Sequence, residues 1–142
     1  MTFSLYCLIL DEESIPDIHV FESQLRAHFS KTNWLHYEIT FEEEPFEPLK
    51  LTLRLSWGPW WVLVFYDAGA SVKSDSEFIS KFAPSNRRKT IASIDRRITV
   101  LFASDESLEY TNHIIAISDY LESRRDLIVF NPGNNEFTSE II

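Results

Sequence analysis

Few features of this chain favour catalysis. Its 142 residues include only three glycines and one cysteine, and the glycines are scattered. No glycine-rich loop of the kind that binds a nucleotide phosphate occurs. The G-x-S-x-G, H-E-x-x-H and C-x-x-C motifs are also missing. The sequence therefore predicts no enzyme, no cofactor and no metal site.

Signals for membranes and secretion are equally scarce. No apolar run approaches the roughly 20 residues of a transmembrane helix. The first ten residues carry no basic side chain and run into the acidic Asp11–Glu13, unlike a signal peptide. Cys7 has no disulfide partner, and no N-glycosylation motif is present. We expect one cytoplasmic domain over residues 1–142, with residues 134–142 as a disordered tail.

Charge is abundant and unevenly distributed, with a net value of −9. Residues 1–50 hold ten acids and three bases, residues 51–100 hold four acids and eight bases, and residues 101–142 hold eight acids and two bases. Such a surface disfavours nucleic acid and anionic lipid, and it speeds the encounter with basic partners. The alternative is that the acidity only keeps the protein in solution.

The first half of the chain shows the patterns of both helix and strand. Residues 3–10 are an apolar run typical of a buried strand. Ser14 can cap a helix over about 15–30. The apolar residues of this helix recur at helical spacing. They are Ile18, Phe21, Leu25 and Phe29.

Three strands are predicted next. Residues 34–41 and 49–57 alternate between apolar and polar side chains, and the acidic segment 42–48 separates them as a loop. The Gly58–Pro59 dipeptide breaks the second strand, and residues 60–66 are apolar on both faces. The last two strands therefore form a hairpin.

The second half completes an α+β fold. We expect a helix over 71–82, a basic stretch over 84–94 that a second short helix would suit, a strand over 97–103, a helix capped by Asp105 or Ser107, and a strand over 127–130. The predicted order is β-α-β-β-β-α-β-α-β. It describes a mixed, mainly antiparallel sheet with helices packed on it.

The acidic loop is the leading candidate for a functional site. Its two prolines restrict the backbone, so less conformational entropy is lost when a partner binds. It contains no cysteine, histidine or glycine, so it fits a docking surface better than a metal or calcium site. The alternative is a solvated connection between strands. The candidate residues are Glu42, Glu43, Glu44, Phe46 and Glu47.

A second acidic group lies near the start of the last helix. Asp105, Glu106 and Glu109 are candidates for binding a partner, although the helix dipole also accounts for acids at this position. Glu109 and His113 share a helix face and could offer two metal ligands, but an ordinary surface pair is the favoured explanation.

The remaining conspicuous side chains have structural explanations. Cys7 lies in the first strand, where a thiol behaves as a small apolar group. Core packing is the expected role of most tryptophans near the Gly58–Pro59 turn, which are Trp57, Trp60 and Trp61. Alternation places the last two on opposite faces of their strand. We expect the basic residues to pair with acids of this chain or of a partner. These are Arg87, Arg88, Lys89, Arg96 and Arg97.

Three segments of the chain are similar in architecture and charge to a known family of proteins. They are the opening LYCLILDEESIPDIHVFESQL, the acidic FEEEPFEP and the ending YTNHIIAISDYLESRRDLIVFNP. With them the chain resembles the small acidic immunity proteins that bacteria carry beside contact-dependent or type VI secreted toxins. The resemblance implies that an acidic surface binds and neutralises a basic toxin domain, without catalytic residues.

Two other functions fit the same sequence. One is an intracellular adaptor or regulatory module that binds a protein. The other is a small-molecule-binding domain, suggested by the aromatic side chains around the Gly58–Pro59 turn.

Overall fold

A computed structural model describes residues 2–32, 37–44 and 47–139, without the side chains of residues 32, 44 and 47–50. Helices pack on an antiparallel sheet of seven strands in this part of the chain, which confirms the α+β class. The strands are β1 (Phe3–Ile9), β2 (Glu38–Glu44), β3 (Glu47–Trp57), β4 (Trp60–Ala68), β5 (Arg96–Phe102), β6 (Leu127–Asn131) and β7 (Glu136–Phe137). The helices are α1 (Ile18–Thr32), α2 (Ala70–Ser80), α3 (Arg88–Ala92) and α4 (Thr111–Ser123).

The sheet has the strand order β2-β3-β4-β5-β1-β6-β7. The amino-terminal strand therefore lies inside the sheet, where β5 and β6 pair with its two edges. Leu5 lies opposite Val100 of β5, and Cys7 lies opposite Val129 of β6. The apolar run of β1 follows from this position, because both faces of the strand are covered.

The larger core lies between the first face of the sheet and the helices α1 and α4. Phe21, Leu25 and Phe29 of α1 are almost completely buried, as the helical spacing predicted. Ile117 and Leu121 of α4 join them over the sheet. These aromatic and branched side chains provide the main hydrophobic stabilisation of the fold.

A smaller core lies on the second face, where α2 and α3 cover β1 and β6. Ile79 of α2 and Ile91 of α3 pack with Leu8 of β1 and Phe130 of β6. The basic stretch between Pro84 and Ile94 contains α3, which the sequence had suggested as a second short helix.

The predicted acidic loop over residues 42–48 is wrong for residues 42–44 and 47–48, and residues 45–46 lie outside the described residues. Glu42, Glu43 and Glu44 are the last residues of β2, and Glu47 is the first residue of β3. The reason is sheet register: Glu42 lies opposite Thr52, and Glu43 lies opposite Leu51. Pairing with the long strand β3 outweighs the weak strand propensity of glutamate.

Two boundaries at the carboxyl-terminal end also differ from the predicted ones. The last helix begins at Thr111, later than Asp105 or Ser107. Residues 136–137, placed in the predicted tail, form β7, and the Thr138 amide donates a hydrogen bond to the Val129 carbonyl at 3.0 Å. Residues 140–142 of that predicted tail lie outside the described residues.

Candidate functional site

The two predicted acidic groups lie at opposite ends of the sheet. The Ala103 amide donates a hydrogen bond to the Trp61 carbonyl at 3.0 Å, so the segment after β5 lies beside the turn between β3 and β4. Asp105, Glu106 and Glu109 follow there. Glu42 and Glu43 lie at the other end, because β2 ends where β3 begins.

Asp105 has a structural role at the start of α4. Its carboxylate accepts hydrogen bonds from the Tyr110 amide at 3.0 Å and from the Thr111 hydroxyl at 3.1 Å. These bonds hold the segment that leads into α4, but Tyr110, and not Asp105 or Ser107, precedes the helix, so the predicted cap is wrong. Glu106 and Glu109 are exposed, and partner binding by the three acids stays a prediction.

The first candidate group is only partly described. Glu42 and Glu43 are exposed, and alternation along β2 directs them to opposite faces of the sheet. The Glu42 carboxylate lies 3.9 Å from the Arg54 guanidinium, an exposed pair that contributes little to stability. Phe46 and the side chains of Glu44 and Glu47 lie outside the described residues.

The structure assembles a larger acidic end from segments that are distant in sequence. Since β1, β2 and β4 run towards this end and β3, β5 and β6 run away from it, their connections meet there. We call it the acidic end and define it by its carboxylates. They are Asp11, Glu12, Glu13, Glu42, Glu43, Asp67 and Asp95.

The acidic end spans much of the width of the sheet. Glu42 on β2 is separated from β1 by four strand spacings of about 4.8 Å each. Asp67 on β4 lies opposite Arg97 of β5, between those two limits. The sequence showed the Asp11–Glu13 turn only as the boundary of the first strand. The position of this turn directly after a buried strand was the sequence feature that could have indicated a functional surface there.

The nearest arginines are already paired within the chain. The Arg96 Nε lies 3.0 Å from the Glu12 carboxylate, and Arg97 Nη1 lies 2.6 Å from the Asp75 carboxylate. The Arg97 guanidinium also lies 4.2 Å from the centre of the Tyr6 ring. Pairing of Arg96 and Arg97 with local acids agrees with the sequence expectation. The seven carboxylates that define the acidic end outnumber Arg96 and Arg97, although Arg124 and Arg125 also lie at this end of the sheet.

A half-buried network holds the Asp11–Glu13 turn against the end of α4. The Ser14 hydroxyl donates to the Asp126 carboxylate at 2.8 Å, and Arg124 donates two hydrogen bonds to the same carboxylate at 2.9 and 2.6 Å. Burial alone raises the pKa of Asp126, but these hydrogen bonds outweigh it and hold the pKa below its ordinary value. The turn is therefore anchored before any partner binds.

The histidine and tryptophan residues of the opposite end pack as a cluster. Trp57 and Trp60 are buried, and the His113 ring lies 5.4 Å from the Trp57 ring centre. Burial lowers the pKa of His113, while the charge of Asp105 opposes that effect. Trp61 points elsewhere and carries the Arg54 guanidinium at 5.7 Å from its ring centre. These positions are consistent with the predicted packing role.

Residues 2–32, 37–44 and 47–139 show no metal site, no membrane-spanning helix and no activated thiol. No group of three acidic, histidine or cysteine side chains in that part of the chain is arranged to hold a metal ion. No helix in the same ranges is long and apolar enough to cross a membrane. Cys7 is completely buried, and burial raises the pKa of its thiol to about 12. The thiolate that a nucleophile requires is therefore strongly disfavoured.

Comparisons with known proteins give no assignment. A scan against protein-family models, a search of curated proteins and a search of solved structures each found no match to this chain.

Proposed function

We propose that this chain is a cytoplasmic immunity protein, which binds a basic toxin domain through the acidic end and neutralises it. The observation that carries the proposal is the meeting of carboxylates from four separate segments of the chain at one end of the sheet. A field of one sign attracts a basic partner and orients it before contact. The same field disfavours nucleic acid as the ligand.

The toxin would be neutralised because carboxylates of this chain take the place of its anionic substrate. A toxin that acts on an anionic substrate carries a cationic cleft, and clustered carboxylates compete for that cleft with the substrate. The Asp11–Glu13 turn suits this role because Ser14, next to it, is hydrogen bonded to Asp126 and to the Asp11 carbonyl, both at 2.8 Å. A turn held in place loses little entropy when the complex forms.

Co-expression with the products of adjacent genes tests the proposal. One neighbour is expected to arrest growth when expressed alone and to be tolerated when this chain is present. The purified complex should also weaken as salt rises, because the proposed contacts are exposed charges. Absence of a toxic neighbour would contradict the immunity function. A basic but harmless partner bound at the acidic end would make the chain an adaptor instead.

A further inference from the structure

A cavity of about 360 Å³ opens within the acidic end. It lies between the turn that follows β1 and the residues that join α3 to β5. Two chain segments more than 75 residues apart in sequence therefore form its walls, residues 9–13 and residues 90–96. The fold brings these walls together because β1 and β5 are adjacent and antiparallel.

The walls of the cavity combine aliphatic and acidic side chains. Ile9 and Ile94 line the cavity but are buried in the larger and the smaller core, whereas Leu10 is 37% exposed beside them. Four exposed carboxylates also line the cavity. They belong to Asp11, Glu12, Glu13 and Asp95. A matching ligand has an aliphatic stem and a cationic head.

An arginine of this chain already pairs with one of the carboxylates that line the cavity. Arg96 lines the cavity, with its Nε 3.0 Å from the Glu12 carboxylate. Its Nη1 lies 3.4 Å from both the Pro16 carbonyl and the Tyr66 hydroxyl. One guanidinium is thus held at the wall by one of the four carboxylates, and three further carboxylates line the same space.

We propose that this cavity, which we call the arginine pocket, takes the side chain of one arginine of the basic partner. The inference rests on the proposed function and names where the partner is anchored. The methylene stem would lie along the exposed Leu10, and the guanidinium would bond Asp11, Glu13 and Asp95. Arginine is favoured over lysine because its planar fork donates to several carboxylates at once.

The side-chain arrangement in the described ranges does not favour a metal ion as the occupant. No three acidic, histidine or cysteine side chains there have the spacing that an ion requires. The carboxylates stand around a space of about 360 Å³, which suits an extended organic cation better than a compact ion.

The direct experiment uses a blocked arginine, N-acetyl-arginine N-methylamide, as the probe. It is titrated into the 15N-labelled full chain, and amide chemical shifts are followed by NMR. We expect saturable shifts confined to residues 9–13 and 90–96. The blocked citrulline analogue has nearly the same shape without the charge, and it should bind at least tenfold more weakly. The blocked lysine analogue should bind more weakly than arginine.

Matched variants distinguish binding in the pocket from non-specific electrostatic attraction to the acidic surface. E13Q/D95N removes two carboxylates of the pocket and should weaken binding of blocked arginine at least fivefold. E77Q/D119N removes one exposed glutamate and one exposed aspartate outside the cavity and should leave the affinity within twofold. Leu10→Ser should weaken the blocked arginine while leaving the shifts produced by guanidinium chloride nearly unchanged.

Several results would overturn the arginine pocket. They are shifts spread over both ends of the sheet, equal losses in the two double variants, or equal binding of arginine and citrulline. Equal binding of lysine would overturn the choice of arginine. If the probe produces no shifts but the partner still depends on the acidic end, the pocket is wrong and the proposed function stands.

Discussion

The indole ring of Trp60 lies parallel to the phenol ring of Tyr110, with ring centres 4.9 Å apart and 5° between the planes. Trp60 is 3% exposed, and its Nε1 donates a hydrogen bond to the Ala103 carbonyl at 3.2 Å. Tyr110 immediately precedes α4. This stack therefore ties the start of α4 to the hairpin of β3 and β4, at the end of the sheet opposite the acidic end.

Tyr110→Ala should lower the free energy of unfolding by about 2 kcal/mol, because it removes a stacked aromatic ring from a half-buried site. Tyr110→Phe retains the ring and should cost less than about 1 kcal/mol. Urea denaturation followed by tryptophan fluorescence measures both values. Equal losses for the two variants would show that the hydroxyl, and not the stack, is responsible.

Asp126→Asn should destabilise the protein at neutral pH by about 1–3 kcal/mol, because it weakens the half-buried pairing with Arg124. The pKa of Asp126 is lowered in the folded state, so the carboxylate stabilises the fold above the pKa of the unfolded chain, about 3.9. This contribution is lost as the pH falls through the lowered folded pKa.

The difference between wild type and Asp126→Asn should therefore be full at pH 7 and shrink below about pH 4. Urea denaturation across this pH range measures it. The exposed Asp119→Asn on α4 is a suitable control and should be nearly neutral at every pH. A difference that grows with acidity would refute the assigned direction of the Asp126 pKa.

Cys7 should be inert to thiol reagents in the folded protein. Its side chain is completely buried, and burial raises the pKa of the thiol to about 12. Ellman's reagent at pH 8 should therefore react only as fast as the protein unfolds, and it should react fully in concentrated urea. Rapid labelling of the native protein, with unchanged circular dichroism, would contradict the described packing of β1.

E12Q/E13Q should reduce the ability of this chain to relieve growth arrest by its toxic neighbour. The reason is loss of two charges from the turn that we place against the partner. E106Q/E109Q removes the same two charges at the opposite end and should remain protective. The affinities of the purified complexes, measured at about 50 and 300 mM salt, should differ most at low salt. Stronger impairment by the second variant would move the binding surface to the other end.

Local patterns predicted much of the fold. The stripe of Phe21, Leu25 and Phe29 indicated α1, since each side chain recurs after one helical turn and meets the same core. The Gly58–Pro59 turn was equally visible. Gly58 has a φ of 59°, a left-handed conformation that glycine adopts without strain. Such features depend on residues that are close together in the chain, so they can be predicted from the sequence.

The acidic end could not be predicted in the same way. Which connections meet depends on the order and direction of strands, and that order follows from pairings such as Leu5 with Val100. The end of β2 was missed for a related reason. Glu42 and Glu43 have weak strand propensity, but their pairing with Thr52 and Leu51 extends the strand. The amino-acid composition gives the number of charged residues, but it does not show which of them lie close together in the folded chain.

The interior position of β1 constrains how this protein acquires its structure during synthesis. The first strand leaves the ribosome before its partners, which are residues 96–102 and 127–131. Until those segments emerge, the apolar run of β1 has unpaired edges, and unpaired apolar strands favour aggregation. Completion of the sheet is therefore a late and cooperative event, and nascent chains that stop before Leu127 should be targets for proteolysis.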